Sequence, residues 1–208
     1  RASQGSDTLT AHLLTLSHFM RQTDPRFSLP PAEQAQMQQA LIAFVTGKLQ
    51  RTFWSPQQDM TARKLSAIAA LALDGKATPA LLDSLDIDPV RWPTHSVLDW
   101  LTVLEHVQVP GRAQRQQEAW HILRNRLAYQ GTQVGFSTDA QDHWWWLMQG
   151  PDVNAARLLL ATIGQAEWDA ERPRLVTGLL ARQKSGAWAT TTANLWAGLA
   201  LRQFSSIY

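Results

Sequence analysis

Residues able to do chemistry fall at three places along the chain. Glu118 and His121 stand three apart, a spacing that puts a carboxylate and an imidazole on one helix face. A di-iron bundle needs two such pairs and two further glutamates on facing helices, and no second Glu-x-x-His pair exists here. Asp139, Asp142 and His143 cluster in "QVGFSTDAQDHWWW". Two carboxylates and an imidazole beside aromatic rings are what an α/α-barrel glycosidase or lyase uses for acid/base work and a sugar platform. The competing reading is structural: both aspartates open a helix predicted over residues 141–148, where the macrodipole favours acids, and His143 is simply exposed. Ser185 or Ser17 could be paired with a histidine, but no Gly-x-Ser-x-Gly elbow appears. With no cysteine, thiolate ligands, disulfides and a cysteine nucleophile are excluded from this chain. The residues call for no metal, no cofactor and no catalytic group.

The tryptophans are the other unusual chemistry. Trp144, Trp145 and Trp146 are consecutive, and on a helix they would point about 100° apart, so they cannot share one core. At least one must be exposed or lie in a second interface, which makes the run an interaction candidate. Near the other end of the chain, Trp188 precedes three threonines, Thr190, Thr191 and Thr192.

The elements that position these groups read as helices almost throughout. Leu9, Leu13, Leu16 and Met20 form an apolar stripe behind a cap at Ser6 and Asp7, and the helix should stop before Pro25. A second helix starts at Pro31 and turns Met37, Leu41, Phe44 and Val45 inward. A third covers residues 60–73, and a short one residues 79–85. Helices are then expected around 97–107, over "RAQRQQEAWHILRNRLA", and at 141–148, 154–163, 174–183 and 191–204, with "YQGTQVGFST" the least helical stretch. Strand signals are nearly missing. Roughly ten helices on short loops suggest an array of antiparallel hairpins, as an open solenoid or a closed ring.

Composition bounds the function. The 208 residues suit one domain over 1–208, and 45% hydrophobic residues provide a core. Only 17% are charged, with a net charge of +2, and the arginines form no basic stripe, which argues against nucleic-acid binding. No apolar stretch approaches the ~20 residues of a membrane span.

Trp188-Ala189-Thr190-Thr191-Thr192-Ala193-Asn194, followed by Ala197, Leu199, Ala200 and Leu201, resembles a late segment of the thioester domain in the alpha-2-macroglobulin and complement family. "DTLTAHLLTLSHFM", with Leu9, Thr10, Ala11 and Leu14, is similar to that domain's Leu-Thr-Ala-x-x-Leu helix. "ILRNRLAYQGT" (122–132) and "WWLMQGPDVNAARLLLAT" (145–162) resemble the bacterial branch. The resemblance spans essentially the whole chain. It implies an all-α fold, an incomplete α/α toroid of antiparallel helical hairpins, within a larger periplasmic protein that traps proteases after bait cleavage. Partners would be neighbouring macroglobulin domains and, through the parent, target proteases. The family's Cys-x-Glu-Gln thioester would lie upstream of the Leu-Thr-Ala helix, and this chain has no cysteine, so no residue here can be acylating. The chain would then be the last two-thirds of the domain, or its parent would act without a thioester. Thr190 or Thr191 is expected to cap the last helix, with Trp188 as a staple ahead of it, and Trp145, Asn154 and Arg157 to form a structural constellation.

Overall fold

A computed structural model describes residues 5–50 and 53–208. The chain is 61% helical, about twice the usual share for soluble domains, which fixes its class as mostly α. Eight α-helices occur among the described residues: α1 (Asp7–Arg21), α2 (Pro31–Val45), α3 (Met60–Leu73), α4 (Thr94–His106), α5 (Arg112–Asn125), α6 (Pro151–Thr162), α7 (Arg172–Ala181) and α8 (Thr191–Ile207). Short 3-10 turns lie at Pro25–Phe27, Pro79–Leu82, Trp145–Leu147 and Ala166–Trp168. No helix among the described residues is long and apolar enough to cross a membrane.

The chain divides into two compact units, one built from residues 1–92 and 99–120 and the other from 93–98 and 121–208. In the first, α3 is the centre. Nine of its fourteen residues are buried, and its alanines let α1 and α2 pack closely against it. Ser6 caps α1 by accepting from the Leu9 N–H, as expected. The stripe expected to bury α1 is overturned: Leu9 and Leu13 are 48% and 45% exposed, and the inward face carries Asp7, Ala11, Leu14 and Ser17. The reason lies on α3. Arg63 is buried there, and a buried guanidinium requires a carboxylate, which Asp7 supplies through two bonds of 3.0 and 2.8 Å.

In the second unit, α6 buries eight of its twelve residues and packs against α7 and α8. Alanines of α8 (Ala193, Ala197, Ala200) and Trp196 are buried. The "YQGTQVGFST" stretch is a β-hairpin, β1 (Leu127–Gln130) and β2 (Gln133–Phe136), antiparallel with Gln130 opposite Gln133. Its period-2 signal is only four residues long on each side, too short to stand out from a helical background. The hairpin lies on α7 at Gly178, where a β-carbon would fall 2.1 Å from the Val134 carbonyl oxygen.

The α-helix expected over residues 141–148 does not form. The backbone instead makes a 3-10 turn at Trp145–Leu147 that ends on Met148 in the left-handed region (φ 55°). Trp144 precedes that turn with φ −100° and ψ 54°. The helix expected over 79–85 is likewise a four-residue 3-10 turn, and α4 starts three residues earlier than its periodicity suggests.

Candidate functional site

All the residues singled out on chemical grounds from Trp144 onward lie in the second unit, so the site is built there. Thr190 is the N-cap of α8: its backbone is extended and its hydroxyl accepts from the Ala193 N–H at 3.1 Å. Thr191 is the first helical residue and makes no cap. Asn194 closes the motif. Its carboxamide oxygen accepts from the Trp188 N–H at 3.2 Å, and its Nδ2 donates to the carbonyls of Trp188 (2.9 Å) and Thr190 (2.7 Å). The Trp188 indole donates to the Leu179 carbonyl at the end of α7, at 2.9 Å. Trp188 is therefore held by hydrogen bonds to Asn194 and to the end of α7.

The tryptophan run forms a graded aromatic series. Trp144 and Trp146 stack with centroids 5.1 Å apart, and Trp145 meets Trp146 edge-on at 5.9 Å. Trp145 is the member left outside, 68% exposed. Trp144 in turn meets the buried His95 ring edge-on at 5.2 Å. Arg157 donates to the His95 carbonyl at 3.5 Å and stands over the Trp196 ring at 5.2 Å. Asn154 is one helical turn away on α6 and 0% exposed, and neither of its side-chain atoms has a hydrogen-bond partner. Asn154 and Arg157 are thus both buried on α6, and the exposed Trp145 does not share their environment.

The acidic alternative is dispersed into structural roles. Asp142 is buried and sits at the start of α4 rather than of its own helix: it accepts from the Thr94 N–H at 3.2 Å and from the Thr138 hydroxyl at 2.6 Å. The Arg126 guanidinium bonds the Thr94 hydroxyl at 3.1 Å; burial pulls its pKa down against the attraction of Asp142. Asp139 pairs with Arg182, which also reaches Asp152 at 3.4 Å, while Asp152 accepts from the Ala189 N–H. Arg182 so links the post-hairpin loop, the first turn of α6 and the segment leading to Thr190. His143 is exposed, as the structural reading expected. Next to this network a cavity of about 240 Å³ opens between the hairpin and α7, lined by Phe136, Asp139, Gly178 and Arg182 among others.

Glu118 and His121 share the solvent face of α5, and His121 bonds the Asn125 amide at 2.9 Å. No group of three or more metal-ligating side chains occurs among the described residues. Sequence reading missed two arginines of this unit, the buried Arg172 and the part-exposed Arg124. Arg172 donates to the Thr162 carbonyl (2.8 Å) and the Gln165 carbonyl (2.7 Å), covering the open C-terminal end of α6, and lies under the Tyr208 ring. Arg124 stacks 4.1 Å from the Trp168 centroid and pairs with Glu171 at 2.8 Å. Comparison with family models, curated proteins and solved structures found no match to this chain.

Proposed function

We propose that the chain is a non-enzymatic interaction module, the thioester-type α/α toroid of a bacterial alpha-2-macroglobulin-like protease trap, working without a thioester of its own. The observation that carries the reading is the Trp188–Asn194 segment. Three of the residues that carry the resemblance, Trp188, Thr190 and Asn194, bond one another and tie α8 to α7. A motif whose side chains serve structure fits a scaffold. The mostly helical fold is in keeping with it.

Two further features support a docking role. Each unit leaves large apolar side chains outside, Leu9, Leu13 and Trp54 in one and Trp145 in the other. The carboxylates that an enzyme reading would use, Asp139 and Asp142, are engaged by Arg182 and by Thr94 and Thr138. In this reading the module packs against neighbouring macroglobulin domains of its periplasmic parent and moves as part of it when a protease cuts the bait.

The test uses the full-length parent mixed with a broad-specificity protease, assayed on a large protein substrate and on a small peptide. Entrapment predicts loss of the first activity and retention of the second. Survival of both would leave a helical scaffold without inhibitory function, and turnover of a polysaccharide by the chain alone would favour the enzyme.

A further inference from the structure

A cavity in the first unit has no part in the reading above. It measures about 440 Å³, within the range of small-molecule pockets, and is lined by residues of the 87–89 and 110–111 loops, Trp100 of α4, and Gln114, Arg115 and Glu118 of α5. Gly111, at φ 67°, makes the turn that brings the second loop to this wall.

Three observations define what the cavity could take. Trp100 is fully buried, and its indole N–H has no hydrogen-bond partner, a donor that a folded chain does not ordinarily leave unsatisfied. The Arg115 guanidinium stands 5.9 Å from the Trp100 ring centroid and has no carboxylate within ion-pair distance among the described residues. The remaining charges are acidic: Asp88 is paired with Arg91 at 3.0 Å, and Glu118 sits one turn beyond Arg115. A guanidinium without a carboxylate partner seeks an acceptor, and it binds a carboxylate through two parallel bonds, while the Trp100 indole behind the wall reports any change next to it. The indole, Ile87, Pro89 and Pro110 offer flat apolar walls.

We propose that this cavity is a binding site for a small organic acid, a carboxylate carried on a flat apolar body, with Arg115 holding the carboxylate, the apolar body lying on the wall that Trp100 backs, and Glu118 at the wall weakening anion binding. The site is independent of any protease-trapping role.

The experiment titrates sodium benzoate into the ¹⁵N-labelled 208-residue chain and follows the indole N–H signals, with the Trp100 signal assigned from W100F; benzylamine and benzyl alcohol are the cationic and neutral controls. The expected result is a saturable shift of the Trp100 signal with benzoate alone. R115Q should weaken that binding at least about tenfold, the worth of a charge-assisted bond, and E118Q should tighten it. Both substitutions are on the outer face of α5 and leave the fold testable if W100F does not fold. No Trp100 shift with benzoate, equal response to the three probes, or undiminished binding by R115Q would each overturn the proposal.

Discussion

At the residue scale, the energetics of the Trp-Thr-Thr-Thr segment separate side chains that look equivalent in sequence. Thr190→Ala removes the N-cap acceptor of α8 and should cost about 1 kcal/mol, while Thr190→Ser restores most of it. Thr191→Ala, on a residue that caps nothing, should stay within about 0.5 kcal/mol. Asn194→Ala removes three bonds and should exceed both, at roughly 2 kcal/mol. Urea unfolding of the three alanine variants gives the ranking, and equal losses at 190 and 191 would refute the cap assignment. Arg157→Ala should lower the thermal midpoint through the lost contact with Trp196 and the carbonyl bond to His95, by about 1–3 kcal/mol in stability. That the cap would fall at Thr190 or Thr191 could be read from the sequence, because an N-cap is local chemistry. The role of Asn194 could not, since its bonds span six residues and depend on where Trp188 is pinned.

At the scale of elements, two contacts decide how helices are held. Asp74, at the end of α3, accepts from His18 (3.1 Å) and Arg21 (2.7 Å) of α1 and from Gln34 (3.0 Å) and Gln38 (3.2 Å) of α2, so one carboxylate joins three helices. Burial alone would raise its pKa, but the bonds from His18 and Arg21 and the Arg21 charge outweigh it and hold the carboxyl below its ordinary value. A group whose folded pKa is depressed contributes stability that is present above its unfolded value, about 3.9, and lost as pH falls through the folded one. The thermal midpoint should therefore drop as pH falls below about 4, and Asp74→Asn should start lower at neutral pH and fall less steeply. The second contact is Gly178. Gly178→Ala drives a methyl into the Val134 carbonyl and should cost about 1–3 kcal/mol or dislodge the hairpin, whereas Gly198→Ala on α8 meets nothing within 4 Å and should be neutral or stabilising. Near-equal melting temperatures for the two glycine variants would contradict this packing.

Helix existence was legible wherever caps and periodicity agreed: α2 starts at Pro31 and α3 covers residues 60–73 as the pattern suggests. It failed where tertiary polar contacts outweigh apolar spacing. The Leu9, Leu13, Leu16, Met20 stripe scores as a buried face, yet α1 turns toward α3 the side bearing Asp7 and His18, because Arg63 and Asp74 need partners. The run of tryptophans failed for a local reason, a left-handed Met148 that ends the turn after three residues.

For the whole molecule, the functional reading depends on surface rather than on a catalytic cluster. Replacing Leu9 and Leu13 by glutamine touches side chains about half exposed, so the isolated chain should keep its stability to within roughly 1 kcal/mol. Under the proposed protease-trap reading, the same pair placed in the full-length parent should impair entrapment if α1 is a docking face. Chemical denaturation of the chain and inhibition assays of the parent separate the two effects, and a parent inhibited in neither respect would remove α1 from the interface.

The distribution of the indoles has an optical consequence. The first unit pairs a solvent-facing Trp54, 78% exposed, with the sealed Trp100, and the second pairs Trp145 with the sealed Trp168. Among the ten tryptophans, each unit therefore carries one indole well open to collisional quenching by acrylamide and at least one shielded from it. Replacing Trp54 or Trp145 singly by phenylalanine would remove the most exposed indole of one unit at a time and give its share of the quenchable light. A partner that covers either face would then announce itself as a blue shift and a loss of quenching, with no label attached to the protein.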